Sequence, residues 1–279
     1  MKVYKDKIVV ENSIFNAVDT LRCGQTFSYK ILDDGTIFVV SGRHFAKVVV
    51  GETETVIYST DIDYFYNFFD FSTDYEKIKR EICKIYPSFD KYLFYGKNLR
   101  ILRQDPLQTT ISFIVSSNNN IKRITKTLHT LSERFGEKIV DDLYSFPTLT
   151  ELKKVTKDDF TQMGCGYRSD YLVKTIKMLG EKDFDMNYLK TLETPILRQK
   201  LMTLRGVGRK VADCILFFGF SRTDVFPVDT WIRKAYKDFC DKPRTDEKIS
   251  DYFVSIFNNL SGYAQQYIYN YMLFSAKEK

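Results

Sequence analysis

Cysteine is sparse in this 279-residue chain, and its five copies, Cys23, Cys83, Cys165, Cys214 and Cys240, form no Cys-x-x-Cys pair and no short ligand cluster. That spacing excludes a zinc or iron–sulfur site built from neighbouring thiolates and predicts a reduced compartment. Histidine is rarer, with 2 copies, and tryptophan rarest, with 1. No apolar run reaches the roughly 18 residues needed to span a bilayer. The opening MKVYKDKIVVEN lacks an apolar stretch of signal-peptide length. These absences predict a cytoplasmic protein without membrane association. There is no Gly-x-Gly-x-x-Gly fingerprint, so a bound dinucleotide is not indicated. Low-complexity tracts and solenoid-length repeats are also missing.

What is present suits an ordinary globular protein. Hydrophobic residues make up 44% of the chain, sufficient for a substantial core, and the formal net charge of +6 is compatible with a polyanionic partner without requiring one. From residue 1 to about 60, short β-branched and aromatic runs (KIVV, TFSYKIL, TIFVV, HFAKVVV, TVIYS) alternate with turns at Asp33-Asp34-Gly35, Ser41-Gly42 and Gly51-Glu52. The pattern predicts an antiparallel sheet. From Asp61 onward it is helical almost without interruption. The expected fold is α+β: an N-terminal antiparallel sheet domain with flanking helices over 1–100, then a helical body over 101–279. The boundary near 100 assumes that both aromatic helices following Asp61 pack on the sheet.

The densest chemical signal is LRGVGRKVADCILFFGFSRTDVFPVDTW. Gly206 and Gly208 flank Val207 just ahead of a helix start, a spacing that permits a tight turn with outward N–H groups, favourable for an anion. Six basic residues against one acidic residue, Asp213, lie between Ile196 and Arg222, which suits a nucleic-acid backbone. Lys210 falls in the first turn of the following helix. The positive helix end and adjacent cations there favour its neutral, nucleophilic form. Asp229 is positioned as the N-cap of the next helix, and the turn before it returns a carboxylate toward the lysine.

The hairpin, the helix behind it and the Val228-Asp229 turn resemble the helix–hairpin–helix DNA glycosylase superfamily, and more narrowly its 8-oxoguanine glycosylases. The likeness extends to Cys23-Gly24-Gln25-Thr26-Phe27, Ser116-Ser117-Asn118-Asn119-Asn120, Gly166-Tyr167-Arg168 and Tyr263-Ala264-Gln265. It implies a hairpin over about 198–218 and a bifunctional glycosylase and abasic-site lyase. In that reading Lys210 attacks C1′ of the damaged nucleotide, and Asp229 stabilises charge on the sugar. A base inside a duplex is out of reach, so it must be flipped into a pocket. The resemblance places the Gly24 carbonyl against N7–H of the lesion, where guanine carries an acceptor instead. It places Cys214 and Tyr269 on the two faces of the base, Gln265 on its Watson–Crick edge and Phe113 nearby. Asn118, Arg123 and Arg168 would read the orphaned cytosine, with Tyr167 as the wedge. Asn120, Gly206, Gly208 and Val211 would hold the DNA backbone.

Tyr269 stands where phenylalanine is expected, Arg205 where the hairpin commonly has proline, and Trp231 where the resemblance implies a phosphate-contacting histidine. The implied partner is double-stranded DNA containing an oxidised guanine, bound by a monomer. No cofactor is implied beyond a Na+ or K+ on hairpin carbonyls, and an iron–sulfur cluster is excluded because only Cys240 lies downstream of Asp229. Two alternatives stay open: an alkylated-base glycosylase of the same architecture, which normally lacks the lysine, and a non-catalytic DNA-binding module.

Overall fold

The computed structural model describes residues 1–242 and 244–276. The expected sheet is a six-stranded antiparallel one, in which β1 (Lys2–Val3), β2 (Lys7–Glu11), β3 (Tyr29–Ile31), β4 (Ile37–Ser41), β5 (His44–Val50) and β6 (Glu54–Tyr58) lie in the order β1-β2-β6-β5-β4-β3. Strand alternation sends Ile8, Val10, Ile37, Val39, Ala46, Val48 and Ile57 to one buried face. The Ile62–Phe68 helix covers that face with Phe65 and Phe68, joined by Phe15, Phe69 and Phe71. Phe15 meets Phe69 edge-on at 5.0 Å. Burial of each such ring stabilises the sheet domain by about 1.5–3 kcal/mol.

One element in the strand-rich segment was not anticipated. Ala17–Arg22 is a helix, capped by the Asn16 side chain, which accepts from Asp19 N–H at 2.9 Å. It has no apolar run of its own to advertise it, and its role is to deliver Cys23 and Gly24 to the helical body.

The two aromatic helices part company. The first packs on the sheet, whereas the second, Tyr75–Ile85, belongs with Phe89, Tyr92 and Leu99 to the core of the helical body, alongside Phe253 and Phe257. The sheet core therefore ends at Phe71, with Leu102 as its one later member. The helical stretch is also interrupted by a small hairpin, Lys138–Val140 against Leu143–Tyr144, turning through Asp141 at φ +46. Too few residues alternate there for a period of two to register. The sheet is tied to the body by Gly42 N–H, which donates to Gln108 Oε1 at 2.6 Å, and by Arg43, which pairs with Glu137 and Glu151.

Candidate active site

The predicted hairpin forms between the helices Thr194–Met202 and Arg209–Cys214. Its two glycines serve different needs. Gly206 sits at φ +82, and a Cβ there would come within 2.8 Å of the Tyr171 ring. Gly208, the N-cap at φ −90, has open space around it. Gly206→Ala is therefore expected to lower the melting temperature by several degrees, about 1–2 kcal/mol of strain in thermal denaturation. Gly208→Ala should melt like the parent protein, because nothing in the fold meets its methyl group.

Behind the hairpin is a buried ion cluster, of which local sequence advertised only the i, i+4 pair Arg209–Asp213 and not Arg198. Arg198 Nε and Arg209 Nε donate to the two Asp213 oxygens at 2.6 and 3.1 Å, and Asp213 is 1% exposed. Burial pushes its carboxyl above the usual range, while the two guanidiniums pull it back down. Asp213→Ala strands Arg198 and leaves Arg209 only its pair with Asp251 at 3.0 Å, and urea denaturation should show a loss of about 3 kcal/mol.

Lys210 is in the first turn of its helix, half-buried, with Nζ 5.4 Å from the centre of the Phe113 ring. One helical turn on, Cys214 lies within reach of the same amine; burial lifts its thiol to about 11 and Lys210 opposes that rise, so the sulfur stays a neutral, polarisable surface at ordinary pH. The helix does not continue regularly through Phe218 as the apolar pattern suggests. Ile215–Gly219 is a π-turn, an inserted residue of a kind frequent at functional sites. It brings Phe218 parallel to Phe113 at 5.5 Å.

Asp229 caps the Thr230–Tyr236 helix as expected. One oxygen, Oδ1, accepts both cap bonds, from Trp231 N–H at 3.0 Å and Ile232 N–H at 2.9 Å, so Oδ2 is left for the cleft. Burial raises the Asp229 carboxyl above its ordinary value against opposing cap bonds and Lys210. Among the described residues no direct ion pair joins Asp229 to Lys210, yet both line one cleft of about 650 Å³.

The same cleft gathers every residue assigned to the lesion pocket: Gly24, Phe113, Cys214, Gln265 and Tyr269. Gly24 adopts φ +79, and a Cβ on it would stand 3.0 Å from the Tyr269 hydroxyl. Burial lifts that hydroxyl well above the usual tyrosine range, helped by Asp229. Gln265 is 5% exposed, and its Oε1 is buried without a hydrogen-bond partner on a residue that lines the cleft. Gln266, beside it, also lines the cleft and was missed, although two adjacent amides on a helix of apolar and aromatic residues were a visible signal. Phe218 was missed as a pocket wall because only the π-turn directs it there.

The residues assigned to the opposite strand are only partly brought together. Asn118 lines the cleft in the left-handed conformation at φ +48. Tyr167 is 56% exposed and leans on Tyr171 at 5.7 Å. Arg123 is exposed on the first turn of the Ile121–Phe135 helix, whose N-cap is Asn120 through a 3.0 Å bond from Arg123 N–H. Arg168 points inward instead: it is 6% exposed, donating from Nε to the Ser117 carbonyl at 2.7 Å and from Nη2 to the Asn118 carbonyl at 2.7 Å. In this conformation it braces the turn that carries Asn118. Val211, Gly206 and Gly208 all reach the cleft, and Asn120 does not line it.

Residues 7–109 match the family model described as 8-oxoguanine DNA glycosylase, N-terminal domain, and residues 111–258 match the HhH-GPD superfamily base excision DNA repair protein. The chain belongs to the HhH-GPD superfamily. This HhH-GPD protein is 32% identical over 198 residues to the Arabidopsis thaliana N-glycosylase/DNA lyase OGG1, covering 66% of this chain and 54% of that one. It is 37% identical over 156 residues to the Saccharomyces cerevisiae N-glycosylase/DNA lyase, covering 50% and 42%. The matched stretch thus spans about half the length of those curated relatives. Among solved structures, the Clostridium acetobutylicum 8-oxoguanine glycosylase/lyase in complex with double-stranded DNA containing cytosine opposite 8-oxoG superposes with a TM-score of 0.91. Identity is 32%, over 98% of this chain and 97% of that one. The superfamily membership agrees with the expected α+β architecture in both halves.

Proposed function

We propose that this HhH-GPD protein is a DNA glycosylase and abasic-site lyase that removes 8-oxoguanine, preferentially opposite cytosine, acting as a monomer on cytoplasmic or nucleoid DNA. The observation that carries the proposal is the meeting, in one cleft, of an amine, a carboxylate with one oxygen uncommitted, a polarisable thiol and an unpartnered amide oxygen. Lys210 Nζ attacks C1′ through its lone pair as the N-glycosidic bond breaks, and the base departs with the bonding electrons and takes up a proton. Asp229 offsets the positive charge that develops on the sugar. The sugar ring then opens: the nitrogen lone pair expels O4′ from C1′, O4′ takes up the proton that the nitrogen loses, and the resulting imine at C1′ acidifies the C2′ proton, whose removal expels the 3′ phosphate. The neutral Cys214 sulfur and the Tyr269 ring suit the faces of an inserted purine, and the free Gln265 Oε1 suits a donor on its edge.

The hairpin would hold backbone phosphate through bare N–H groups at Gly208 and beyond. Gly208→Ala is expected to weaken duplex binding about fivefold by fluorescence anisotropy, with melting unchanged, because its methyl group would stand where the phosphate approaches. The Na+ or K+ implied by the family resemblance would rest on carbonyls of the same turn. Leu204 O accepts from Val207 N–H at 3.2 Å and Arg205 O from Thr175 Oγ1 at 2.9 Å, and each keeps a second lone pair. Among the described residues no group of three or more His, Cys, Asp or Glu is arranged to hold a metal.

The deciding experiment is borohydride trapping on duplexes with 8-oxoguanine opposite cytosine or adenine, an undamaged duplex and one with an alkylated base. A covalent adduct confined to the cytosine-paired lesion supports the proposal. Release of alkylated bases alone, or binding without release or adduct, refutes it.

A further inference from the structure

The loop carrying Gly24 is held by side-chain amides on both flanks. On one side, Gln266 Nε2 donates to the Cys23 carbonyl at 3.0 Å, from a helix near the far end of the chain. On the other, Gln104 Nε2 donates to the Gln25 carbonyl at 2.6 Å. Gln25 is itself locked, its Nε2 donating to the Thr20 and Arg100 carbonyls at 3.0 and 2.7 Å and its Oε1 accepting from Leu102 N–H at 2.9 Å. Of three consecutive carbonyls the outer two are taken, and among the described hydrogen bonds none reaches the middle one, on Gly24. Gly24, at φ +79 and with no side chain, is the soft joint between two fixed peptide planes.

We propose that Gln266, with Gln104 opposite it, is a positioning residue that sets discrimination between 8-oxoguanine and guanine by aiming the Gly24 carbonyl into the cleft. The inference rests on the glycosylase reading above. Gln266 is 2% exposed on a helix otherwise rich in buried apolar and aromatic side chains, where packing alone would be served by leucine. A buried amide at such a place is justified by what it bonds to. Its neighbour Gln265 lines the same cleft and carries an unpartnered amide oxygen, so one helix brings two adjacent amides to the cleft. The aim matters because a single acceptor gains a bond from N7–H of the lesion and faces a like acceptor in guanine. A tilted peptide weakens the first and relieves the second.

The test compares two single-turnover rates in the full chain for wild type, Gln266→Leu and Gln104→Leu: release of 8-oxoguanine opposite cytosine, and cleavage of a duplex with a preformed abasic site, which has no base to read. The ratio of the first rate to the second should fall about tenfold in each variant, the loss expected for one misdirected hydrogen bond. In a Lys210→Gln background, the binding preference for the 8-oxoguanine duplex over the guanine duplex should shrink with Gln266→Leu by a similar factor. Equal losses in both rates, or an unchanged ratio, would overturn the proposal by making Gln266 purely structural. Gln104 is only half-buried, so its variant decides the matter if Gln266→Leu folds poorly. Wild-type protein that cleaves the abasic duplex but releases no 8-oxoguanine would instead sink the substrate reading on which the proposal stands, a result separate from any change in the ratio.

Discussion

Lys210→Gln is expected to abolish borohydride trapping and abasic-site cleavage and to slow 8-oxoguanine release by about a thousandfold or more, since among the described residues lining the cleft Lys210 carries the one side-chain amine. The side chain is half-buried over the Phe113 ring and beside Cys214, in no ion pair among the described residues. Glutamine fits the same space, and Asp229 loses a nearby opposing charge but keeps its two cap bonds, so stability should stay within about 1 kcal/mol of wild type by thermal denaturation. Duplex binding should persist, because the hairpin that would carry the phosphate is untouched. Retained lyase activity in this variant would mean that another amine performs the chemistry, and Lys210 would be reduced to a backbone contact.

Asp229→Asn should lower single-turnover base release by about a hundredfold to a thousandfold. The choice of asparagine separates chemistry from folding. Asp229 Oδ1 accepts both helix-cap bonds, and an asparagine oxygen replaces it there, so the Thr230–Tyr236 helix keeps its cap. Alanine would lose the cap as well, at a further cost of about 1 kcal/mol in stability. The carboxylate also sets a pH limit. Burial raises the Asp229 carboxyl above its ordinary value of 3.8. Activity needs the ionised form, so the rate should be full above the raised value and fall as pH drops through it. The acid limb of the base-release profile therefore lies higher than for an ordinary aspartate. That limb should vanish in Asp229→Asn, and a limb that persisted unchanged would assign it to another group.

The division between sequence and tertiary structure runs along a physical line. Features set by neighbouring residues were legible: the Asp33-Asp34-Gly35 reversal, the strand alternation of β2, β4 and β5, the Gly206-Val207-Gly208 turn, Lys210 in a first helical turn and Asp229 as a cap. Each follows from backbone preference or from hydrogen bonds reaching only a few residues along the chain. The pocket residues were reachable only through resemblance, because Gly24, Phe113 and the Gln265–Tyr269 pair lie far apart in sequence, and only that last pair shares a helix face, at i and i+4.

Tertiary packing decided the rest. It split the two aromatic helices between two cores and brought the strands' Gly24 loop against a helix at the other end of the chain. The π-turn that places Phe218 also needed the assembled body, since an apolar run is equally compatible with a regular helix. Arg168 shows the limit most plainly. The family resemblance assigned it to the orphaned cytosine, and in this conformation the fold supplies the Ser117 and Asn118 carbonyls, since a guanidinium binds acceptors wherever packing presents them. What this sequence determined alone was which groups could do chemistry and which local turns would hold them. Which of those groups share a cleft, and which carbonyl is left free for a ligand, was decided by long-range contacts, whose partners are chosen by the whole core rather than by any segment of it.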